Sequence, residues 1–146
     1  MEIRDYQASD GQGLLPLYEE LGYPTVEESL AKWLDNLLQL PNYYLKLAII
    51  NHSIVGFIGF SKLHFFERDG SYYRMLALVL SEKYCKQGIA TGLIDEVRLK
   101  AYQERATAIT LNSGMTSARE TAHEFYQHYG FKKSSYGFSL DLDWEK

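Results

Sequence analysis

The stretch Leu78-Val79-Leu80-Ser81-Glu82-Lys83-Tyr84-Cys85-Lys86-Gln87-Gly88-Ile89-Ala90-Thr91-Gly92-Leu93 reads as an apolar strand, a short polar turn and the mouth of a helix. A helix start presents backbone N–H groups without intrahelical partners at the positive end of the dipole, which suits an anion. Gly88 and Ala90 bring no bulk to that mouth, and Lys86 adds positive charge beside it. Two readings stand side by side: a phosphate cradle, or glycines at 88 and 92 that serve close packing of helix on strand. One glycine at a helix start does not decide between them. Cys85 likewise admits two readings, a thiol activated by the helix N-terminus or a small apolar filler. A second stretch, Ala122-His123-Glu124-Phe125-Tyr126-Gln127-His128-Tyr129-Gly130-Phe131, is an amphipathic helix with a glycine stop. Phe125 and Tyr129 belong to its core face, and Tyr126 is offset from that face toward a cleft. His52, His123 and His128 have no metal-ligand spacing with a carboxylate, so no metal is expected.

The elements that must position these residues follow from periodicity. A short strand over 3–6 leads to a helix opened by the N-cap types Ser9 and Asp10 and ended at Gly22. Thr25 and Glu28 have the spacing of a capping box, and Val26, Leu30, Trp33, Leu34, Leu37 and Leu38 form one helical face that Pro41 stops. Runs over 43–50 and 54–63, joined by Asn51-His52-Ser53, read as a hairpin; a run over 72–80 is expected to pair antiparallel after the turn at Asp69-Gly70. Ala90, Leu93, Ile94, Val97 and Ala101 mark a helix, 107–111 a strand, and Ala118, Ala122, Phe125 and Tyr129 a further helix. Residues 131–144 alternate as one or two closing strands would. The expected order is β-α-α-β-β-β-α-β-α-β-β: an α/β (α+β) domain spanning 1–146, with a mixed, mostly antiparallel sheet of six to seven strands and about four helices. The strand–helix–strand unit over 72–111 makes its two strands parallel.

The two chemical stretches, in this order, resemble the GNAT superfamily of N-acetyltransferases. That family carries a strand followed by a Gln/Arg-x-x-Gly-x-Gly/Ala loop around the pyrophosphate of acetyl-CoA, and further on an Ala-x-x-Phe-Tyr-x-x-x-Gly-Phe pattern. Gly88 and Ala90 fill the small positions of the first, and Ala122, Phe125, Tyr126, Gly130 and Phe131 match the second throughout. The resemblance covers nearly the whole chain. Leu111-Asn112-Ser113-Gly114, with Arg119, Ala122 and His123, looks like a bacterial branch with small-molecule substrates. Two positions depart from the pattern. Cys85 stands where the family prefers Gln or Arg, and Arg119 stands where many members have an Asn.

The resemblance implies transfer of acetyl from acetyl-CoA directly to a primary amine, of a small molecule or of a peptide or protein. It implies a cofactor site made of Leu78, Val79, Leu80, Cys85, Lys86, Gln87, Gly88, Ile89, Ala90, Thr91, Arg119 and Tyr126. The backbone N–H of Leu80, or a neighbour, is the candidate donor to the thioester oxygen, and Tyr126 the candidate general acid. Where many members place a Glu on the fourth strand, this chain reads Tyr73-Arg74-Met75-Leu76-Ala77. Glu67 is the candidate base, with Glu19, Glu20 and His64 as alternatives in segments that could border the acceptor cleft, or water as a proton relay. Glu19, Glu20, Glu27 and Glu28 are candidates for an acidic rim, and Tyr18, Tyr23, Phe65, Phe66 and Tyr72 are aromatics that could cradle a cation or pack. A non-catalytic acyl-CoA-binding module is the alternative function. A Rossmann dinucleotide binder is a poor third reading, because no Gly-x-Gly-x-x-Gly follows the first strand and no acidic residue stands at the required distance.

Composition narrows the partners. With 15 Lys+Arg against 19 Asp+Glu, the chain carries a net charge of −4, which argues against nucleic acid held by overall charge. A single cysteine among 146 residues excludes an internal disulfide. The longest apolar-plus-glycine run, 54–60, is far short of the roughly 20 residues of a membrane span. The sequence thus reads as a cytoplasmic enzyme without nucleic-acid or membrane partners; a homodimer is a family-level expectation.

Overall fold

Two strand-like runs separated by Asn51 and His52 need a turn with positive φ at both central residues, which matches the right-handed twist of the strands it joins. The structure, a computed structural model, describes residues 1–84, 87–113 and 120–144. In it Asn51 and His52 have φ of 50° and 65° and join β2 (Tyr43–Ile50) to β3 (Ser53–His64). β1 (Glu2–Asp5) and β4 (Ser71–Leu80) flank this hairpin, both antiparallel, and β5 (Ile109–Leu111) adds to β4 in parallel. The sheet order is β1-β2-β3-β4-β5. The helices are α1 (Gly11–Leu21), α2 (Glu27–Leu38), α3 (Ile89–Gln103) and α4 (Glu120–Tyr129), with 3₁₀ turns at Ala8–Asp10 and Glu82–Tyr84.

The chain divides into two compact units, Met1–Leu111 and Asn112–Lys146. In the first, strand alternation supplies both faces of the sheet. Leu45, Leu47, Phe57 and Val79 meet Leu14, Leu17, Leu30 and Leu34 of α1 and α2 in one apolar cluster. Their neighbours Ala48 and Ile58 are also fully buried, on the opposite face. Helix α3 buries Ile89, Leu93, Ile94, Val97 and Ala101, a single stripe, against β2, β3 and β4. Truncating one such leucine to alanine costs about 2–5 kcal/mol.

Polar pairs fix the ends of these elements. Arg4 donates two hydrogen bonds to Asp10, at 2.8 and 2.9 Å, and the N–H of Gln7 donates to the same carboxylate at 2.7 Å. The turn from β1 into α1 is thereby closed. At the far end of α3, Lys62 donates to Glu104 at 2.7 Å, and the buried Tyr73 hydroxyl donates to the same oxygen at 3.5 Å. Burial first, and the Glu104 charge second, push the Tyr73 phenol well above the ordinary tyrosine range.

Three sequence expectations are corrected. Among the described residues the sheet has five strands, not six to seven. Residues 131–144 form no strand, and Tyr136, Phe138, Leu140, Leu142 and Trp144 lie exposed, Phe138 to 95%. Alternation prepares a strand, but a strand exists only where another edge takes its N–H and C=O groups. The Thr25–Glu28 capping box does not form: Val26, with extended dihedrals, is the N-cap of α2 and no side chain caps it.

Candidate active site

The chemistry-bearing edge of the sheet is the outer edge of β4. β4 pairs with β3 along its whole length, but with β5 only at Tyr73, Arg74 and Met75. Among the described residues, 76–80 therefore have no ladder partner on that side. The register with β3 shifts at Gly59/Phe60, which face Ala77 and Met75, so Leu76 is the extra residue of a β-bulge. The direction of the free groups follows from alternation. The N–H of Ser81 donates to the Val55 carbonyl at 2.8 Å, which makes 55/81 a hydrogen-bonded pair. Counting back by twos, Val79 and Ala77 also turn their N–H and C=O groups to β3, and Leu78 and Leu80 turn theirs to the open edge. An unspent N–H in an apolar strand end is a donor placed for a developing negative charge.

The open edge leads to the first turn of α3. Gly88 is the N-cap, with φ +77°, and no side chain caps the helix. The first intrahelical bond at this end runs from the N–H of Gly92 to the carbonyl of Gly88 at 3.0 Å. The N–H groups of Ile89, Ala90 and Thr91 are thus the orphan donors of the helix start. Among the described residues, a Cβ built on Gly88 would meet nothing within 4 Å, which leaves room beside these donors for a bulky anion. Gly56 of β3 seats this turn: a Cβ there would lie 3.0 Å from a Leu80 methyl and 3.2 Å from an Ile89 methyl. A side chain at 56 would crowd these two methyls and the Val79 carbonyl, 3.1 Å away, and force them to give by a few tenths of an ångström.

The second unit holds Tyr126 on α4. The helix ends in a Schellman arrangement, in which the N–H of Gly130 donates to Gln127 at 3.1 Å and that of Phe131 donates to Tyr126 at 2.9 Å. Gly130 supplies the positive φ, 127°, that this stop requires. The Tyr126 ring meets Phe131 edge-on at 5.8 Å and Phe125 at 5.6 Å. The pattern Phe-Tyr-x-x-x-Gly-Phe is thus a device for holding one tyrosine ring: the glycine folds the chain back, and the following Phe clamps the ring.

The fold that carries this strand edge and helix start is shared by known proteins. The family model of the acetyltransferase (GNAT) domain matches residues 41–133. The chain belongs to the GNAT acetyltransferases. A GNAT family acetyltransferase of Staphylococcus aureus is similar at 31% identity and a TM-score of 0.83, covering 97% of this chain and 98% of that one. A putative acetyltransferase of Agrobacterium tumefaciens shares the fold at 19% identity and a TM-score of 0.87, covering 97% and 100%. An aminoglycoside 6′-N-acetyltransferase of Acinetobacter haemolyticus shares it at 18% identity and a TM-score of 0.78, covering 98% and 100%. No functionally curated protein matches the chain.

Within this GNAT fold, Leu78, Val79, Leu80, Gln87, Gly88, Ile89, Ala90 and Thr91 fall together, at the end of β4 and the start of α3. Cys85, Lys86 and Arg119 lie outside the described residues. Glu67 is not brought to this place. It is exposed in the turn that precedes β4, and the strand that separates it from Leu80 is about 30 Å long. The acidic rim is not assembled either. Glu20 accepts the Glu82 N–H at 3.0 Å near the end of α1, whereas Glu27 lies beside Gly11 at its start. Phe65 stacks on Tyr72 at 4.7 Å with Arg68 over its other side, so these aromatics pack on each other at the β3–β4 turn. A depression of about 430 Å³ between Arg4, Asp10, Gly13, His52 and Ile54 takes no lining residue from β4 or α3. Sequence reading missed the bulge at Leu76 and the roles of Gly56 and Gly59. The available signal was two glycines inside a strand, which mark a bulge or a close approach.

Proposed function

We propose that the protein is an acetyl-CoA-dependent N-acetyltransferase, its chain acting as one catalytic domain on soluble primary amines in the cytoplasm. The observation that carries this reading is the open β4 edge ending at the orphan N–H groups of α3. Acetyl-CoA is a polyanion joined by a long amide-bearing arm to a thioester. The donors of Ile89, Ala90 and Thr91 fit its pyrophosphate, with Gly88 leaving room for it. The free N–H and C=O groups of Leu78 and Leu80 fit the amides of the arm and the thioester oxygen.

In this reading the amine nitrogen forms its bond to the thioester carbon, the carbonyl oxygen takes up negative charge, and the C–S bond then breaks to give the amide and the CoA thiolate. The N–H of Leu80 or Leu78 donates to that oxygen. One well-placed donor of this kind is worth about 3 kcal/mol in the barrier. Tyr126 gives its proton to the thiolate, and the attacking amine loses its proton to water. The acceptor class draws support from relatives that act on amines of different kinds, among them the aminoglycoside enzyme and a ribosomal-protein-alanine N-acetyltransferase of Brucella melitensis that shares the fold.

Acetyl-CoA should raise the melting temperature, because a ligand bound only by the native state at about 100 times its Kd adds about 2.7 kcal/mol. NAD should not. An unchanged melting curve at saturating acetyl-CoA refutes the reading.

A further inference from the structure

We propose that the acceptor is a primary amine on a short apolar body, and that a small aromatic cavity beneath α1 and α2 receives that body. The inference rests on the acetyltransferase reading and narrows its acceptor. The cavity measures about 110 Å³. Tyr18, Tyr43 and Phe57 form one side of it, with the Tyr44 backbone, and Leu76 and Ala77 of the bulge form another; the Tyr44 ring itself turns to the opposite face, against Phe60, Tyr73 and Lys100. Tyr18 is held in place by stacking on Phe57 at 5.4 Å and by the edge of Trp33 at 5.9 Å. Leu76 of this lining is itself half exposed and belongs to the stretch of β4 beyond its pairing with β5. Two residues further along β4, about 7 Å, is Leu78, whose N–H faces the open edge. The cavity and the reacting edge thus share a strand segment.

The lining sets the chemistry of the occupant. None of the described residues that line the cavity is charged. A polyamine or aminoglycoside would lose the hydration of its extra ammonium groups there without gaining a partner. The glutamates that might have supplied one are dispersed: Glu20 is tied to the Glu82 N–H, and Glu27 of α2 lies beside Gly11, which is nine residues, about 14 Å, from Glu20 along α1. Size sets the length. An apolar cavity of about 150 Å³ holds a benzene molecule, so this one takes a body of roughly four to six heavy atoms, such as a pentyl chain. The same lining bears on the missing strand carboxylate. An amine at the mouth of an apolar cavity is disfavoured in its ammonium form, which helps deliver the neutral nucleophile.

Gly59 provides the test. It lines the cavity, and a Cβ built on it meets only the Tyr44 carbonyl oxygen, at 4.0 Å. Gly59→Ala and Gly59→Val therefore fill the cavity from a strand position that tolerates a side chain. The assay is CoA release with straight-chain amines from ethylamine to octylamine, with spermidine, and with a peptide N-terminus, alongside calorimetric titration of acetyl-CoA. In the unaltered protein KM should fall about fourfold per added methylene up to about five carbons and then level off. In Gly59→Val the KM for pentylamine should rise at least tenfold, while acetyl-CoA affinity and melting temperature hold. If Gly59→Val does not fold, Gly59→Ala and the chain-length series carry the test. Turnover of spermidine or the peptide with none of pentylamine overturns the inference and leaves the acetyltransferase reading standing. An unchanged pentylamine KM in a folded Gly59 variant also overturns it. Failure to bind acetyl-CoA removes both.

Discussion

Replacing Gly88 with glutamate separates the helix start as an anion site from the helix start as a packing device. Gly88 has φ +77° and open space where a Cβ would go, so the cost of a side chain is backbone strain alone. A left-handed L-residue costs about 1–2 kcal/mol. A carboxylate at a helix N-terminus returns about 0.3–1 kcal/mol through the dipole. The net loss of about 1 kcal/mol is small against a typical stability of about 5–15 kcal/mol, and the fold should survive. The effect on the ligand is larger. A carboxylate about 5 Å from a phosphate repels it by about 0.8 kcal/mol at the dielectric of water and about 3 kcal/mol at an effective value of 20. Those limits correspond to about fourfold and about 150-fold in Kd, so we expect a weakening of tenfold or more for acetyl-CoA. Gly88→Asn is the control, since asparagine tolerates this backbone region and adds no charge; its Kd should stay within about threefold. Calorimetric titration at low and high salt, with melting curves for each variant, reads all of these terms. The gap between Glu and Asn should narrow at high salt. A folded Gly88→Glu protein that binds acetyl-CoA as tightly as the parent refutes the placement of the pyrophosphate.

Three further outcomes are expected. Tyr126→Phe keeps the ring clamped by Phe131 and removes only the hydroxyl, so kcat should fall at least tenfold, with acetyl-CoA Kd changed less; general acid catalysis contributes about 100- to 10,000-fold. Stopped-flow or steady-state rates with chemistry limiting would show this, and an unaltered kcat reassigns Tyr126 to packing. Cys85→Ser should retain most activity, since direct transfer needs no acyl-enzyme; an acetylated Cys85 seen by mass spectrometry, with an inactive Ser variant, would contradict that. The Arg4 hydrogen bonds, helped by the Gln7 N–H and opposed by burial, hold the Asp10 carboxyl below the usual carboxylate range. Its stabilising contribution is then complete above the unfolded value near about 4 and drains away as pH falls through the folded value. Asp10→Asn should cost about 1–3 kcal/mol at neutral pH and flatten the acid limb of the urea-unfolding profile.

Much of the frame was legible because it depends on local periodicity. The hairpin around Asn51 and His52, the stripe of α3 and the glycine stop of α4 each follow from a few adjacent residues. The site was legible where a backbone feature carries it: Gly88 announces a helix start, and the Phe-Tyr-x-x-x-Gly-Phe spacing encodes a clamped ring. What depends on pairing between distant segments was not legible. The bulge at Leu76 arises from register between β3 and β4, and no residue near 76 reveals it. The aromatic cavity draws on α1, α2 and three strands, so its lining is scattered from Tyr18 to Ala77. Glu67 sits in a segment that the sequence alone could place at the acceptor cleft, and only the length of β4 shows how far it stands from Leu80. Residues 131–144 mislead for the opposite reason, since they carry the alternation of a strand without its partner.

The central claim is that this chain moves an acetyl group from acetyl-CoA to an amine. Mixing the protein with acetyl-CoA labelled in the acetyl group, with and without pentylamine, and following free CoA and labelled amide by mass spectrometry tests it most directly. The expected result is amine-dependent release of CoA, one for each N-acetylpentylamine formed, with no label left on the protein. Tight binding of acetyl-CoA without release of CoA to any amine would contradict it and make the protein a binding module.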